Sequence, residues 1–507
     1  MLRKYLSWSV DSWAAVILVL LYGLLLLSLQ NPTSMDDGLR HFAMAKMLAA
    51  QGVWNVPGWS VFLYQGYFHS TPVDPWFLSD VILIPFTAFP IAKGLQLFIV
   101  AELACLCASF LLVLRSVKLP AFDRMMFLCV LLFGDTQFMG RFLLGRPYAL
   151  MTAMMLFVLW SILERKWIML ALFLAISVLL SQLFVFPLIL CLCAILSYCV
   201  VHQWKNAVSI FAASCSGVLI GLLLHPHPLS YVQYLVTAFL RIPFLGSIGL
   251  SREMQMGISD VAMISVLIGM GVATLLLARL FAGRTLPQLR KNPDFLCVTM
   301  IVGIFLMAFI LWVRAIDVLW PMLIVWVASL YALDRRAFHE LWHVLLPIKS
   351  VLLNILLYGS LLIVIGEVLA VPIILIRDNP QHSLSQYETM HIIPAHSRVL
   401  NLDWQMFFSY VAVRPDLQYA AGIDRSFTYL TDPSVSDDIR SLENISKEHS
   451  VASDIQEKMN HILQSYPSDY LVVSHAAFQS VIDMLEQNAS WQMISDSPII
   501  AIFKTRT

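Results

Sequence analysis

The sequence predicts a polytopic all-α membrane protein with a small α/β domain at its C-terminal end. Three observations carry this expectation. Of 507 residues, 59% are hydrophobic and 13% are charged, where a soluble domain averages about 25% charged residues. Apolar runs of span length recur along the first three quarters of the chain, separated by short basic or polar segments. Beyond residue 376 the composition changes to that of a soluble domain. Basic and acidic residues balance at 32 each, which gives no reason to expect a nucleic-acid partner. The eight cysteines all lie in apolar runs, a distribution that points to neither a disulfide framework nor a thiolate metal site.

The spans can be threaded in order. Arg3 and Lys4 precede an apolar run of about residues 12 to 30 that lacks a small-residue cleavage site, so it reads as a retained helix rather than a signal peptide. With these charges cytoplasmic, the first long loop (31–93) is external. Inside it, "WFLSDVILIPFTAF" (76–89) is bounded and interrupted by prolines, contains Asp80 and falls short of the roughly 20 residues a span requires. It is expected to be an interfacial or re-entrant helix. Spans then follow at about 94 to 114, 125 to 140, 148 to 163, 168 to 183, 185 to 201 and 207 to 224. A second external loop (225–259) precedes spans at about 260 to 280, 295 to 313, 318 to 333 and 350 to 376. This threading gives about eleven spans, keeps the basic loops on one side, and divides the chain into a membrane module (1–376) and an extracytoplasmic domain (377–507). In the latter, "RVLNLDW", "DYLVVS" and "PIIAIFK" read as buried strands and "AAFQSVIDMLEQN" as a helix. The expected location is a plasma or inner membrane.

Ionisable groups gather at the external face. Asp36, Asp37, His69 and Asp74 come from the first loop, and His225, His227, Arg241, Arg252 and Glu253 from the second. Arg141 and Arg146 sit in one short outer loop, Arg314 and Asp317 in another. Carboxylates and guanidinium groups at one face suit a reaction in which a phosphate leaves and a hydroxyl loses its proton. Ser34-Met35-Asp36-Asp37 also has the form of a helix cap, worth about 0.5 to 2 kcal/mol, and the pair allows one carboxylate to cap while the other works. The stretch that follows carries Arg40, His41 and Lys46. Lys46 falls within the apolar stripe and must snorkel or meet a phosphate. His225-Pro226-His227 is either a ligand pair or a rigid turn at a span's end. Glu102, near the middle of a span, is a functional candidate by position, and protonation or a polar neighbour would satisfy it equally well.

The stretch "DDGLRHFAMAKMLAAQGVWNVP" resembles the acidic motif that opens the first external loop of the GT-C superfamily. These multi-pass glycosyltransferases include protein O-mannosyltransferases and lipid A aminoarabinose transferases. "STPVDPWFLSDVILIPF" is similar to the family's juxtamembrane segment, "GRFLLGRPYALMTAMMLFVLW" to its Gly-Arg-x-x-x-Arg-Pro entry to a span, and "RAIDVLWPM", "RVLNLDW" and "GIDRSFTYL" to late segments of bacterial members. Where several relatives carry Lys-Pro-Pro or His-Pro-Pro, this chain has Ser70-Thr71-Pro72-Val73-Asp74-Pro75.

The resemblance implies a sugar donor on a polyprenyl phosphate, an acceptor glycosylated with inversion at the outer face, and Asp36 or Asp37 as the base. It implies Arg146, Arg252 and Arg314, with Lys46, as groups that hold the departing phosphate, and His69, Asp74, Arg141, Glu253 and Asp317 as further substrate-site residues. Asp37 with Asp74 could bind Mg²⁺ or Mn²⁺ through oxygen, while arginines alone suffice for a monophosphate. Two other functions fit the composition: a transporter or flippase for lipid-linked glycans, and an inactive relative whose external domain binds a partner.

Overall fold

The computed structural model describes residues 10–28, 37–135, 138–139, 142, 145, 147–242, 271, 291–311, 315–333, 384–420, 422, 425–448 and 452–506. The chain forms two compact units. One comprises residues 1–33, 96–224 and 251–375, the other residues 34–95, 225–250 and 376–507.

The first unit is helical. Nine of the eleven expected spans fall on described helices: Val10–Ser28, Ile91–Ser116, Ala121–Phe133, Tyr148–Leu163, Trp167–Leu180, Val185–Val200, Trp204–Leu224, Pro293–Leu311 and Ile316–Leu333. The expected spans at about 260 to 280 and 350 to 376 lie outside the described residues. The apolar runs form helices because in lipid each backbone N–H and C=O must be satisfied within its own segment. Three short basic loops close on a non-glycine residue in the left-handed region, Lys118, Arg165 and His202, which lets successive helices reverse within a few residues. Trp167–Leu180 and Trp204–Leu224 approach closely through Gly217 and Gly221. A Cβ added at Gly217 would lie 2.5 Å from the Ala171 carbonyl oxygen, and one at Gly221 would lie 2.7 Å from Val178 Cβ, the small-residue packing that membrane helices favour. Glu102 is fully buried in Ile91–Ser116, and neither of its carboxyl oxygens has a hydrogen-bond partner among the described residues.

The second unit assembles elements from three distant parts of the sequence. From the first loop come α1 (Asp37–Gln51) and α2 (Phe77–Leu83), the latter continuing as a 3-10 turn over Ile84–Ala88. The segment expected at 76–89 is thus a short helix ending at a proline turn, with Asp80 on its buried side. From the second loop comes α3 (Pro228–Val236), extended by a π turn over Thr237–Arg241. The tail supplies α4 (Phe407–Val413), α5 (Arg425–Thr431), α6 (Pro433–Glu448), α7 (Ala452–Ser465), α8 (His475–Gln487) and strands β1 (Arg398–Asn401), β2 (Gln418–Tyr419), β3 (Tyr470–Ser474), β4 (Trp491–Asp496) and β5 (Ile500–Thr505).

The strands form one sheet in the order β2-β1-β3-β5-β4, in which β1 runs parallel to β2 and β3, while β5 is antiparallel to β3 and β4. Every residue of β3 is buried, as its unbroken apolar run requires of a central strand covered on both faces. The core joins Leu400, Leu471, Val473 and Phe503 of the sheet to Val435, Ile439, Ile462 and Ile482 of the helices. The first loop adds to the sheet edge: the Tyr64 N–H donates to the Tyr419 carbonyl at 3.1 Å, and the Tyr419 N–H donates to the Phe62 carbonyl at 2.8 Å.

The turn that brings residues 58 to 62 to this edge depends on Gly58. Its φ is +59°, and a Cβ there would sit 2.3 Å from the Val73 carbonyl carbon, against backbone rather than a yielding side chain. Gly58→Ala is expected to cost at least about 2 kcal/mol, read as a lowered melting temperature in detergent. An unchanged melting temperature would mean that the Val73 backbone can withdraw.

Candidate functional site

The second unit buries a cluster of ionisable groups among aromatic rings. Helix α1 supplies Arg40 and His41, 3% and 2% exposed, the segment leading into α2 supplies Asp74, 4% exposed, and α2 supplies Asp80, 0% exposed. Burial at this level requires partners for each charged or polar group. His41 Nδ1–H donates to Asp80 Oδ1 at 2.7 Å. Asp74 Oδ1 accepts from Trp59 Nε1–H at 3.1 Å and from the Trp76 N–H at 3.0 Å. The Oδ2 atoms of Asp74 and Asp80 receive no N–H among the described residues, and the two side chains are hydrogen-bonding neighbours. A proton kept on Asp80 and directed at Asp74 would satisfy both.

Burial pushes both carboxyls above the usual carboxylate range. The charge of Asp74 raises Asp80 further, while the hydrogen bond from Asp80, the two N–H donors and the Arg40 charge draw Asp74 part of the way back. The Arg40 guanidinium lies 4.5 Å from the Trp76 ring centroid, 5.1 Å from that of Phe408 and 5.6 Å from that of Trp59. A cation desolvated over aromatic faces is stabilised by about 2 kcal/mol. His41 meets Trp59 and Trp76 edge-on at 6.2 and 5.3 Å.

His225 closes the cluster from the second loop. Its Nδ1 accepts the His227 N–H at 3.1 Å, so its Nε2–H donates to the Asp74 carbonyl at 3.0 Å. Burial lowers its pKa to about 4, which keeps the ring neutral at physiological pH. His227 Nε2–H donates to the Val56 carbonyl at 3.3 Å. Of the two readings open for His-Pro-His, these contacts are those of the rigid turn.

The other site residues expected from the sequence are placed as follows. Asp37 opens α1, four residues before His41. Asp36, Arg141, Arg146, Arg252, Glu253 and Arg314 lie outside the described residues, as does the side chain of Asp37. Lys46 is exposed, its ammonium 5.2 Å from the Phe42 ring. His69 is exposed and donates through Nδ1 to the Leu63 carbonyl at 3.0 Å. In the first unit Asp317 lines a small cavity with Phe138, Phe142, Tyr148, Ala149 and Thr152, and its carbonyl accepts from Thr152 Oγ1 at 3.1 Å. Phe142, Tyr148, Ala149 and Thr152 of the one expected entry segment therefore meet Asp317 of the other.

Among the described residues no three His, Cys, Asp or Glu side chains are arranged to hold a metal ion. Asp74 Oδ1 is engaged by two N–H donors of the fold, and the side chain of Asp37, its expected partner at a metal, lies outside the described residues. Sequence reasoning named Arg40, His41 and Asp80 without giving them roles. The available signal was Asp80 itself, a lone carboxylate in an apolar segment that needs a partner.

A carboxyl with a raised folded-state pKa adds stability that is complete below its unfolded value of about 3.9 and is lost as pH rises through the folded value. Melting temperature is accordingly expected to fall as pH rises above about 4, with a flatter profile for Asp80→Asn, which keeps an oxygen for His41 and an N–H for Asp74. A wild-type profile that rises over this range would contradict the acid pair. His41→Ala leaves Asp80 Oδ1 without its donor and is expected to cost about 1 to 3 kcal/mol in the same melting experiment.

Neither a protein-family model nor a curated protein matches the sequence. Solved structures do match. The archaeal oligosaccharyltransferase AglB from Archaeoglobus fulgidus, in complex with an inhibitory peptide and a dolichol-phosphate, aligns over 99% of this chain and 75% of its own, with a TM-score of 0.58 at 9% identity. ArnT from Cupriavidus metallidurans bound to undecaprenyl phosphate aligns over 98% of both chains, with a TM-score of 0.56 at 10% identity. The mycobacterial arabinofuranosyltransferase AftD aligns over 98% of this chain and 42% of its own, with a TM-score of 0.55 at 13% identity. Four described helices are long and apolar enough to cross a membrane, and the protein is an integral membrane protein with the fold of the GT-C glycosyltransferases.

Proposed function

We propose that the protein transfers a sugar from a polyprenyl-phosphate donor to a nucleophile on a lipid, glycan or protein acceptor, at the non-cytoplasmic face of the membrane. The observation that carries this reading is the match over nearly the whole chain to structures holding dolichol-phosphate and undecaprenyl phosphate. The acceptor oxygen attacks the anomeric carbon from the face opposite the phosphate, the carbon–oxygen bond to phosphate breaks, and the configuration inverts. Asp36 or Asp37 takes the acceptor's proton. The position of Asp37 in the first turn of α1 supports this, since α1 is held one turn further on by the bond from His41 to Asp80.

The leaving phosphate carries the negative charge of the broken bond. Arg146, Arg252 and Arg314 are assigned to it, because a guanidinium fork matches phosphate oxygens. Residues 70 to 75 contain no lysine, and Asp74 in that segment is a buried acid, so the cation has to come from elsewhere in the chain. Lys46, exposed at the surface of α1, is a further phosphate contact. Arg141, His69, Glu253 and Asp317 are assigned to substrate positioning. No step is routed through a divalent cation.

The test is consumption of a radiolabelled polyprenyl-phosphate sugar by protein in liposomes. For Asp36→Asn or Asp37→Asn, with insertion confirmed, the rate is expected to drop by about 10²- to 10⁴-fold for at least one of the two. Arg146→Ala, Arg252→Ala and Arg314→Ala are each expected to lose about 10²- to 10³-fold in kcat. Two fully active Asp variants would refute the base assignment. Movement of intact donor between leaflets without sugar transfer would favour a flippase instead.

A further inference from the structure

We propose that α3 and its π-turn extension, residues 228–241, form a lipid-embedded interfacial helix whose outer face is immersed in the acyl chains of the surrounding bilayer. The helix has two apolar faces of different kinds. Its inner face is aromatic and locked: Tyr231 and Tyr234 are 0% and 2% exposed. His225, Tyr231, Tyr234 and Phe427 stack in series, with centroids 4.3, 6.4 and 5.8 Å apart and planes within 20° of parallel. The outer face is mainly apolar and open: Leu229 is 85% exposed, Leu240 64%, Val236 44%, Val232 43% and Phe239 37%, with the uncharged Gln233 exposed on the same stripe. The positions 229, 232, 236 and 240 fall at intervals of three and four residues, which places them on one stripe of a helix.

Three observations select lipid as the occupant rather than water or a second protein. The sequence from Pro228 to Leu240 contains no Asp, Glu, Lys or Arg, so the outer stripe has no charged rim of the kind that borders a protein docking site. Pro228 follows Leu224, the last residue of the candidate span Trp204–Leu224, by four residues. The chain can extend at most about 3.6 Å per residue, which ties the start of the helix to the membrane edge. The run ends at Arg241, exposed on the π turn, where a guanidinium on a long stem can reach headgroup phosphates while its methylenes stay in apolar surroundings.

The inner face gives this placement a consequence. His225 begins the aromatic series and donates to the Asp74 carbonyl, so the element that faces lipid is bonded to the backbone of the buried acid pair. The depth of the helix in the bilayer and the position of residue 74 are thereby mechanically linked within the second unit.

Wild-type protein in liposomes containing a phosphatidylcholine with a diazirine on its acyl chain provides the test. After photolysis, adducts are mapped by peptide mass spectrometry, with hydroxyl-radical footprinting on a parallel sample. Leu229, Val236 and Leu240 are expected to carry lipid adducts at least about tenfold above the polar helix α6, comparable to Leu219 and Leu223 of the adjacent span, and to resist oxidation. Oxidation of the stripe without lipid adducts would overturn the proposal in favour of a water-facing helix. Protection from both reagents, with Leu219 and Leu223 labelled, would overturn it in favour of a protein-covered face.

Discussion

Two carboxyls, an imidazole and a guanidinium buried in one cluster constrain the second unit more tightly than any single apolar contact. A lone ion in such surroundings would be costly enough to unfold a typical domain. Here each charge is answered: His41 meets Asp80, Asp80 neighbours Asp74, Asp74 takes two N–H donors, and Arg40 rests among Trp59, Trp76 and Phe408. These partners come from the first loop and the tail, with His225 entering from the second loop. The three parts of the sequence are therefore held in one arrangement, since withdrawing any of them leaves a buried polar group unanswered.

This constraint bears directly on the proposed chemistry. A base at the start of α1 is useful only if the helix holds its position while substrate and product exchange. The bond from His41 to Asp80 fixes α1 one turn beyond Asp37. The same arrangement accommodates an acid at residue 74, which is buried and takes two N–H donors. In the proposed function, recognition of phosphate falls to guanidinium groups elsewhere in the chain.

Local sequence pattern made much of the architecture legible. Tyr148–Leu163 and Ile316–Leu333 coincide with the expected spans almost residue for residue, because an apolar run in lipid has no alternative to internal hydrogen bonding. β1, β3, β5 and α8 were visible for a related reason: buried strands are short, apolar and bounded by turn residues. β4 was missed. Its sequence WQMISD alternates weakly at a sheet edge, where burial imposes little pattern. The helix Ala121–Phe133 ends earlier than the expected span, at Gly134 and just before Asp135, where the apolar run itself breaks.

The sequence by itself determined the succession of apolar helices and the small α/β region that follows them. These features follow from composition and from periods of two to four residues, which act over short distances. Only the tertiary structure decided that His41 would find Asp80, 39 residues away, that Asp74 would be buried beside it, and that α3 would turn its tyrosines inward and its leucines outward. Each of these depends on the dielectric around a group and on the donors within 3 Å of it, and both are set by segments that the local sequence does not contain.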